Sequence, residues 1–184
     1  INLSNGNIIA FLHSDDLYSN KDVVSNVMKL FLNKEIDIVY GDVSFFKKDK
    51  PDTEVRIYQS DVLSKKNLAW GKMPAHPAMF IRREIYEKIG LFDTNYIIAG
   101  DYEFLCRLVN KYNFNAVYIP NILVKMQVGG LSTQGIKSFY ILNKETYRAI
   151  LSNGIYTNIF MLLSKYFSKI RQLRLNTLNV FNLF

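Results

Sequence analysis

The segment from Asn7 to Phe46 constrains the fold more than any other. "NIIAFL" is a short unbroken apolar run, the pattern of a strand buried on both faces. After it, "YSNKDVVSNVMKLFLNK" places Val23, Val24, Val27, Met28 and Phe31 at helical spacing, with Ser19 or Asn20 positioned as cap and Asp22 in the first turn. "IDIVYGDVSFF" then reads as a second buried strand. Strand, helix and strand within about 40 residues predict a βαβ unit with parallel strands.

Further along, Lys47 to Asn67 is polar and irregular, with "KKDKPD" as a loop. "AMFIRR" predicts a strand and "REIYEKIG" a short helix closed by Gly90. "GDYEFLCRLVNKY" predicts a longer helix with Phe104, Leu105, Leu108, Val109 and Tyr112 as its apolar stripe and Asp101 at or next to its N-cap. Beyond the Pro120 break, Ile122, Val124, Met126 and Val128 alternate with Leu123, Lys125 and Gln127, as in a half-buried strand. From Gly135 onward the chain reads as helical, interrupted near Ser152 to Gly154.

Composition narrows the class. A chain of 184 residues with 49% hydrophobic and 14% aromatic content carries enough apolar side chain for one domain with a sizeable core. Cys106 is the only cysteine, so no intrachain disulfide forms, and a reducing compartment is the simpler expectation. The first residues lack the basic n-region of a signal peptide. Net charge is +7, concentrated in the tail: residues 136 to 184 hold Lys137, Lys144, Arg148, Lys165, Lys169, Arg171 and Arg174 against the lone acid Glu145. That tail lacks the clustered arginines and interleaved aromatics of a nucleic-acid groove, so no nucleic-acid partner is expected.

The adjacent carboxylates Asp15 and Asp16 end the first apolar run. Two carboxylates about 4 Å apart repel by roughly 4 kcal/mol at an effective dielectric near 20. Two readings fit them: a cation site where ligands gather at the carboxyl ends of sheet strands, or a solvated turn in which Asp16 or Ser19 caps the next helix. Asp101 likewise reads either as a plain capping residue or as a general base at a helix N-terminus, where a negative charge is favoured.

The motifs "SNGNIIAFLHSDDLYSNKDVV", "DIVYGDV", "HPAMFIRREIYEKIGLFDTNYIIAGDYEFLCRL" and "GGLS", in that order, resemble the family 2 glycosyltransferases, and most closely the bacterial enzymes that build exopolysaccharide or O-antigen. The resemblance covers roughly residues 1 to 150. It implies the α/β GT-A fold, Rossmann-like, spanning residues 1–135 and followed by a helical extension over 136–184. It also implies that the strand and loop holding the nucleotide base lie before Ile1.

On this resemblance Asp16 coordinates Mg²⁺ or Mn²⁺ bound to the diphosphate of a UDP-, GDP- or dTDP-sugar, and Asp15 contacts the ribose or sugar side. Many relatives have an aspartate where this chain has His13. Asp101 is implied as the general base for the acceptor hydroxyl, in an inverting transfer to a glycan or lipid-linked acceptor. Relatives often have an acid at the position of Gly100. His76 is expected either to line the acceptor side or to serve as a hydrogen-bonded structural histidine, and Ser132 in "VGGLS" to touch the diphosphate. Trp70 is read as a sugar-stacking ring or a loop aromatic over the core, and Arg107 as structural.

In the tail, Ile155, Ile159, Leu162, Leu163, Tyr166, Phe167, Ile170 and Leu173 recur at helical spacing, with Lys165, Lys169, Arg171 and Arg174 on the polar side. Polar residues interrupt the run before it reaches the 18 or so apolar residues of a membrane span. It fits a helix lying on an anionic membrane surface, or one packed on the domain with a basic edge. The expectation is a cytoplasmic enzyme, peripheral on the inner face of the membrane through 155–184. The competing expectation is a non-catalytic carbohydrate- or partner-binding module that keeps the fold.

Overall fold

The computed structural model describes residues 1–128 and 135–166. Six strands form one mixed sheet: β1 (Ile8–Ala10), β2 (Leu17–Tyr18), β3 (Ile38–Lys47), β4 (Lys50–Tyr58), β5 (Met79–Arg82) and β6 (Ala116–Gln127). Their order is β1-β5-β3-β6-β2, with β4 also paired to β3. The long strand β3 organises the sheet. One edge pairs in parallel with β6, and the other pairs antiparallel with β5 along Ile38 to Tyr40 and with β4 from Val43 onward.

The helices are α1 (Val23–Leu30), α2 (Lys65–Ala69), α3 (Arg83–Ile89), α4 (Gly100–Lys111) and α5 (Gly135–Ser152), and helical backbone resumes over 159–166. Strand alternation divides the core between the two sheet faces. Val39 and Phe80 pack with Val23, Val27 and Phe31 beneath α1. Ile38, Tyr40, Met79 and Ile81 pack with α2, α3, α4 and the Ala149 and Ile150 side chains of α5. Tail residues Ile155 and Leu162 join that second layer.

Several expectations meet corrections here. β1 and β3 do run parallel, yet they are not neighbours, because β5 lies between them and pairs antiparallel with both. β1 is not buried on both faces: Ile9 is buried, while Ile8 and Ala10 are half-buried. Neither Asp16 nor Ser19 caps α1: the short strand β2, paired with β6, separates Asp16 from the helix, and the N-cap position falls three residues beyond Ser19. Asp22 occupies the N-cap position without a side-chain bond, and Asn20 instead accepts the Asp22 N–H at 2.9 Å.

The stretch read as irregular from Lys47 to Asn67 contains β4 and the start of α2, and the "KKDKPD" loop narrows to a turn at Lys48 and Asp49; α2 is capped by Ser64, whose hydroxyl accepts the Asn67 N–H. Nor does Pro120 end a strand. β6 runs through it by a bulge, in which Tyr40 faces Tyr118 but Asp42 faces Ile122. A bulge tolerates proline because no ladder N–H is required there. The bulge crowds Gly41, where an added Cβ would meet Leu123 Cγ at 2.5 Å and the Asn121 carbonyl at 2.9 Å. It also brings Leu123 and Val124 both into the core, so the alternation expected along this strand is broken.

α4 and α3 follow their patterns closely. Phe104, Leu105 and Leu108 are fully buried, and so is Cys106, whose thiol pKa burial pushes far up. Gly90 ends α3 at φ +90°, a conformation that disfavours other residues. Arg107 is structural. Its guanidinium donates to the carbonyls of Ile89 and Leu91 and grips Glu103 at 2.8 and 3.1 Å, tying α4 to the end of α3. In the tail the expected polar Lys165 is buried, with its ammonium 5.2 Å from the Tyr166 ring centroid, whereas Ile159 and Leu163 of the expected apolar stripe are exposed. Phe167 and the residues after it lie outside the described residues.

Candidate active site

β1 ends at Ala10, and a turn closed by the Asp16 N–H to His13 carbonyl bond (3.1 Å) reverses the chain into β2. Adjacent residues entering a strand point to opposite sides, so only one of the two carboxylates turns inward. That residue is Asp16, only 5% exposed, while Asp15 faces solvent. The Gln127 backbone amide at the end of β6 bonds the Asp16 carboxylate, but among the described residues its Oδ2 has no partner. Burial foremost, and then the charge of Asp15, raise its pKa against the opposing pull of His13 and of the Gln127 amide. Leaving a buried carboxylate oxygen unpaired is costly, about 1–3 kcal/mol or more for a charged group.

From this turn a chain of electrostatic neighbours crosses the carboxyl end of the sheet. His13 acts on both Asp16 and His76, and Asp101 acts on His76. His76 begins the 3₁₀ turn before β5. Its ring stacks on Phe11 at 5.4 Å and meets the edge of Phe92 at 5.6 Å. Burial lowers its pKa, partly offset by Asp101, so the imidazole is held neutral. Phe92 contacts Phe104 in turn, at 5.2 Å, so one aromatic series joins the end of β1, His76 and the core face of α4.

Asp101 is the second residue of α4, not its cap. The N-cap is Ala99, which has no capping side chain, and Asp101 Oδ1 accepts the N–H of Tyr102 at 2.7 Å. Asp101 is half-buried. The structure thus brings Asp15, Asp16, His13, His76 and Asp101 to one end of the sheet. Ser132 and the glycines before it lie outside the described residues. Trp70 ends α2 and is 40% exposed, so it does not seal the core.

Three carboxylates here escaped the sequence reading. Asp61 follows β4; burial raises its pKa against the pull of Lys72, and its charge reaches Tyr58, which Asp101 also influences. Asp42, in the "YGDV" of β3, is fully engaged: it accepts the Tyr118 hydroxyl at 2.9 Å and the Ser60 amide at 2.9 Å. Glu145 of α5 is the third. Its Oε1 accepts the N–H of Ile97 at 2.8 Å, and its Oε2 accepts those of Ile98 and Ala99 at 2.8 and 2.9 Å. Burial alone would raise its pKa, but these amides outweigh it and hold the pKa below 4.5. Nothing local marked Glu145, since its partners lie more than 40 residues earlier. Nothing local marked Asp61 either, since β4 and α2, which flank it, were not legible in the sequence.

Comparison with known proteins adds a direction. No family model matches the chain. Over 157 residues it is 26% identical to an uncharacterized glycosyltransferase of Methanocaldococcus jannaschii, a match covering 77% of this chain and 51% of that protein. Its fold is similar to the crystal structure of S. aureus TarS 1–349, with a TM-score of 0.52 at 13% identity over 84% of this chain and 44% of that one. The chain spans about half the length of the relatives it matches. The sequence likeness is to a glycosyltransferase, and the structural likeness establishes a shared α/β fold.

Proposed function

We propose that this chain forms a large part of a GT-A glycosyltransferase domain that moves a sugar from a UDP-, GDP- or dTDP-sugar to a glycan or lipid-linked hydroxyl. The observation that carries the reading is the buried Asp16 carboxylate, whose Oδ2 has no partner among the described residues, at the same end of the sheet as His13, His76 and Asp101. The sequence likeness to a glycosyltransferase supports it.

Asp16 is the residue that would hold Mg²⁺ or Mn²⁺, and its orphaned oxygen fits that role. Among the described residues no three His, Cys, Asp or Glu side chains converge. Phosphate oxygens of the donor would therefore complete the shell, as is usual for Mg²⁺. When bound, the cation stabilises negative charge on the departing diphosphate.

The chain's own groups do the rest. Asp15, exposed beside Asp16, binds the ribose or sugar side of the donor. Asp101 accepts the proton of the acceptor hydroxyl as that oxygen attacks the anomeric carbon, and the bond to the diphosphate breaks with its electron pair leaving on phosphate. Attack on the face opposite the leaving group inverts the anomeric centre. His76, neutral and fixed between Phe11 and Phe92, offers the acceptor a hydrogen bond without competing for the proton.

Asp101→Asn in the full-length protein tests the reading. Transfer should fall at least a hundredfold, with donor affinity unchanged by calorimetry in Mn²⁺. Retained turnover would refute the base, and the absence of any metal-dependent donor binding in the unaltered protein would favour a binding module instead. The exposed Tyr156, Ile159 and Phe160 support a peripheral contact of 155–184 with the inner face of the membrane. No helix among the described residues is long and apolar enough to cross one.

A further inference from the structure

We infer that Glu145 is a positioning residue for Asp101, setting the base by locking the backbone two residues ahead of it; the inference rests on the proposed transfer reaction. Ala99, at the N-cap of α4, supplies no side-chain acceptor, and within the first turn Asp101 Oδ1 takes only the Tyr102 N–H. The amides just ahead of the helix find their acceptor on α5, more than 40 residues later. Glu145 takes the three consecutive amides of Ile97, Ile98 and Ala99, so its carboxylate fixes both the direction and the height at which the chain enters α4. Ala99 itself is fully buried, so a shift there is passed to Gly100 and Asp101.

The same helix holds the preceding turn. Arg148, one turn beyond Glu145, donates to the Asn95 carbonyl at 2.9 Å, and its guanidinium lies 3.9 Å from the Tyr96 ring centroid. Within the turn, Asp93 Oδ1 accepts the Asn95 N–H at 2.9 Å. Glu145 and Arg148 therefore clamp residues 95 to 99 from one face of α5, and Asp101 inherits its place from that clamp. A displacement near 1 Å at a reacting group costs on the order of a hundredfold in rate, so loosening the clamp should slow chemistry while leaving donor contacts at Asp15 and Asp16 untouched.

The experiment compares full-length protein with Glu145→Gln, and Asp101→Asn serves as reference. Unaltered protein that transfers, and Asp101→Asn that does not, establish the base independently of Glu145; if Asp101→Asn still turns over, the reading of the base fails and Glu145 has nothing to position. With the base established, Glu145→Gln should lower kcat roughly tenfold or more, keep donor affinity within twofold, and speed amide exchange at Ile97, Ile98 and Ala99 without changing exchange in β3. Unchanged kcat with faster exchange would overturn the inference, leaving Glu145 a purely structural cap. Unchanged exchange, or an equal loss of donor affinity, would overturn it as well. Should Glu145→Gln fail to fold, the exposed Arg148→Met reads the same clamp: a smaller kcat loss at constant donor affinity supports the inference, and an unaltered kcat refutes it.

Discussion

Asp16 and Glu145 are both buried carboxylates, 5% and 7% exposed, and the fold treats them in opposite ways. Glu145, at the junction of α5 and α4, receives three backbone amides, and its pKa is held below the ordinary 4.5 although burial alone would raise it. Asp16, in the turn between β1 and β2, receives one amide and has one oxygen without a partner among the described residues, and burial together with Asp15 raises its pKa above the ordinary 3.8. Exposure is nearly the same, so the difference lies in the donors supplied and in the neighbouring charges, Asp15 beside Asp16 and Arg148 near Glu145. Glu145 is satisfied by the backbone of its own fold; among the described residues Asp16 is satisfied only in part.

Removing each side chain should separate the two. The largest effect is expected from Glu145→Ala, which strands three amides: urea unfolding should show a loss of about 3 kcal/mol. The milder Glu145→Gln should flatten the acid limb of stability. A carboxylate with a depressed pKa contributes above its unfolded value and loses that contribution as pH falls through the folded one. Asp16 has the opposite sign, its favourable share present below 3.8 and lost as pH rises through its raised pKa. A Glu145→Gln protein whose stability still fell steeply on acidification would break the comparison.

Asp16→Asn should change stability without metal by less than about 1 kcal/mol, because it removes a poorly solvated charge. Its consequence should appear with Mn²⁺. At ten times Kd the cation should stabilise the unaltered protein by about 1.4 kcal/mol and leave Asp16→Asn unmoved in thermal melting. Equal stabilisation of both would locate the cation elsewhere. The smallest effect belongs to Asp15→Asn, whose exposed side chain should leave stability within about 0.5 kcal/mol and lower donor affinity alone; an unchanged affinity would remove Asp15 from the site.

Much of the fold was legible where a side-chain period met a fully covered surface. α4 reads correctly because Phe104, Leu105 and Leu108 are all buried, and α3 because Gly90 supplies the positive φ at its end. β4 was invisible for the converse reason: among the described residues it pairs with β3 alone and leaves Val55 and Ile57 exposed, so no apolar face is imposed on its sequence. α2 is too short to show a period, and Pro120 looked like a terminus because the bulge that accommodates it depends on Gly41 in another strand.

The site divides along similar lines. The order of motifs singled out Asp15, Asp16 and Asp101, which the fold places at one end of the sheet, but which of the two neighbours is buried depends on the direction each takes into β2. His76 was legible as a residue, while its aromatic setting required Phe11 and Phe92 to converge from separate segments. Glu145 was out of reach, since its significance exists only where α5 crosses the start of α4.

Cys106 adds a practical consequence. It is the sole thiol, fully enclosed on the helix that carries Asp101, and burial holds it in the unreactive protonated form. A thiol reagent can therefore modify the native chain only when α4 lifts from the sheet. The rate of that modification makes Cys106 a built-in clock for the opening of the helix under the base.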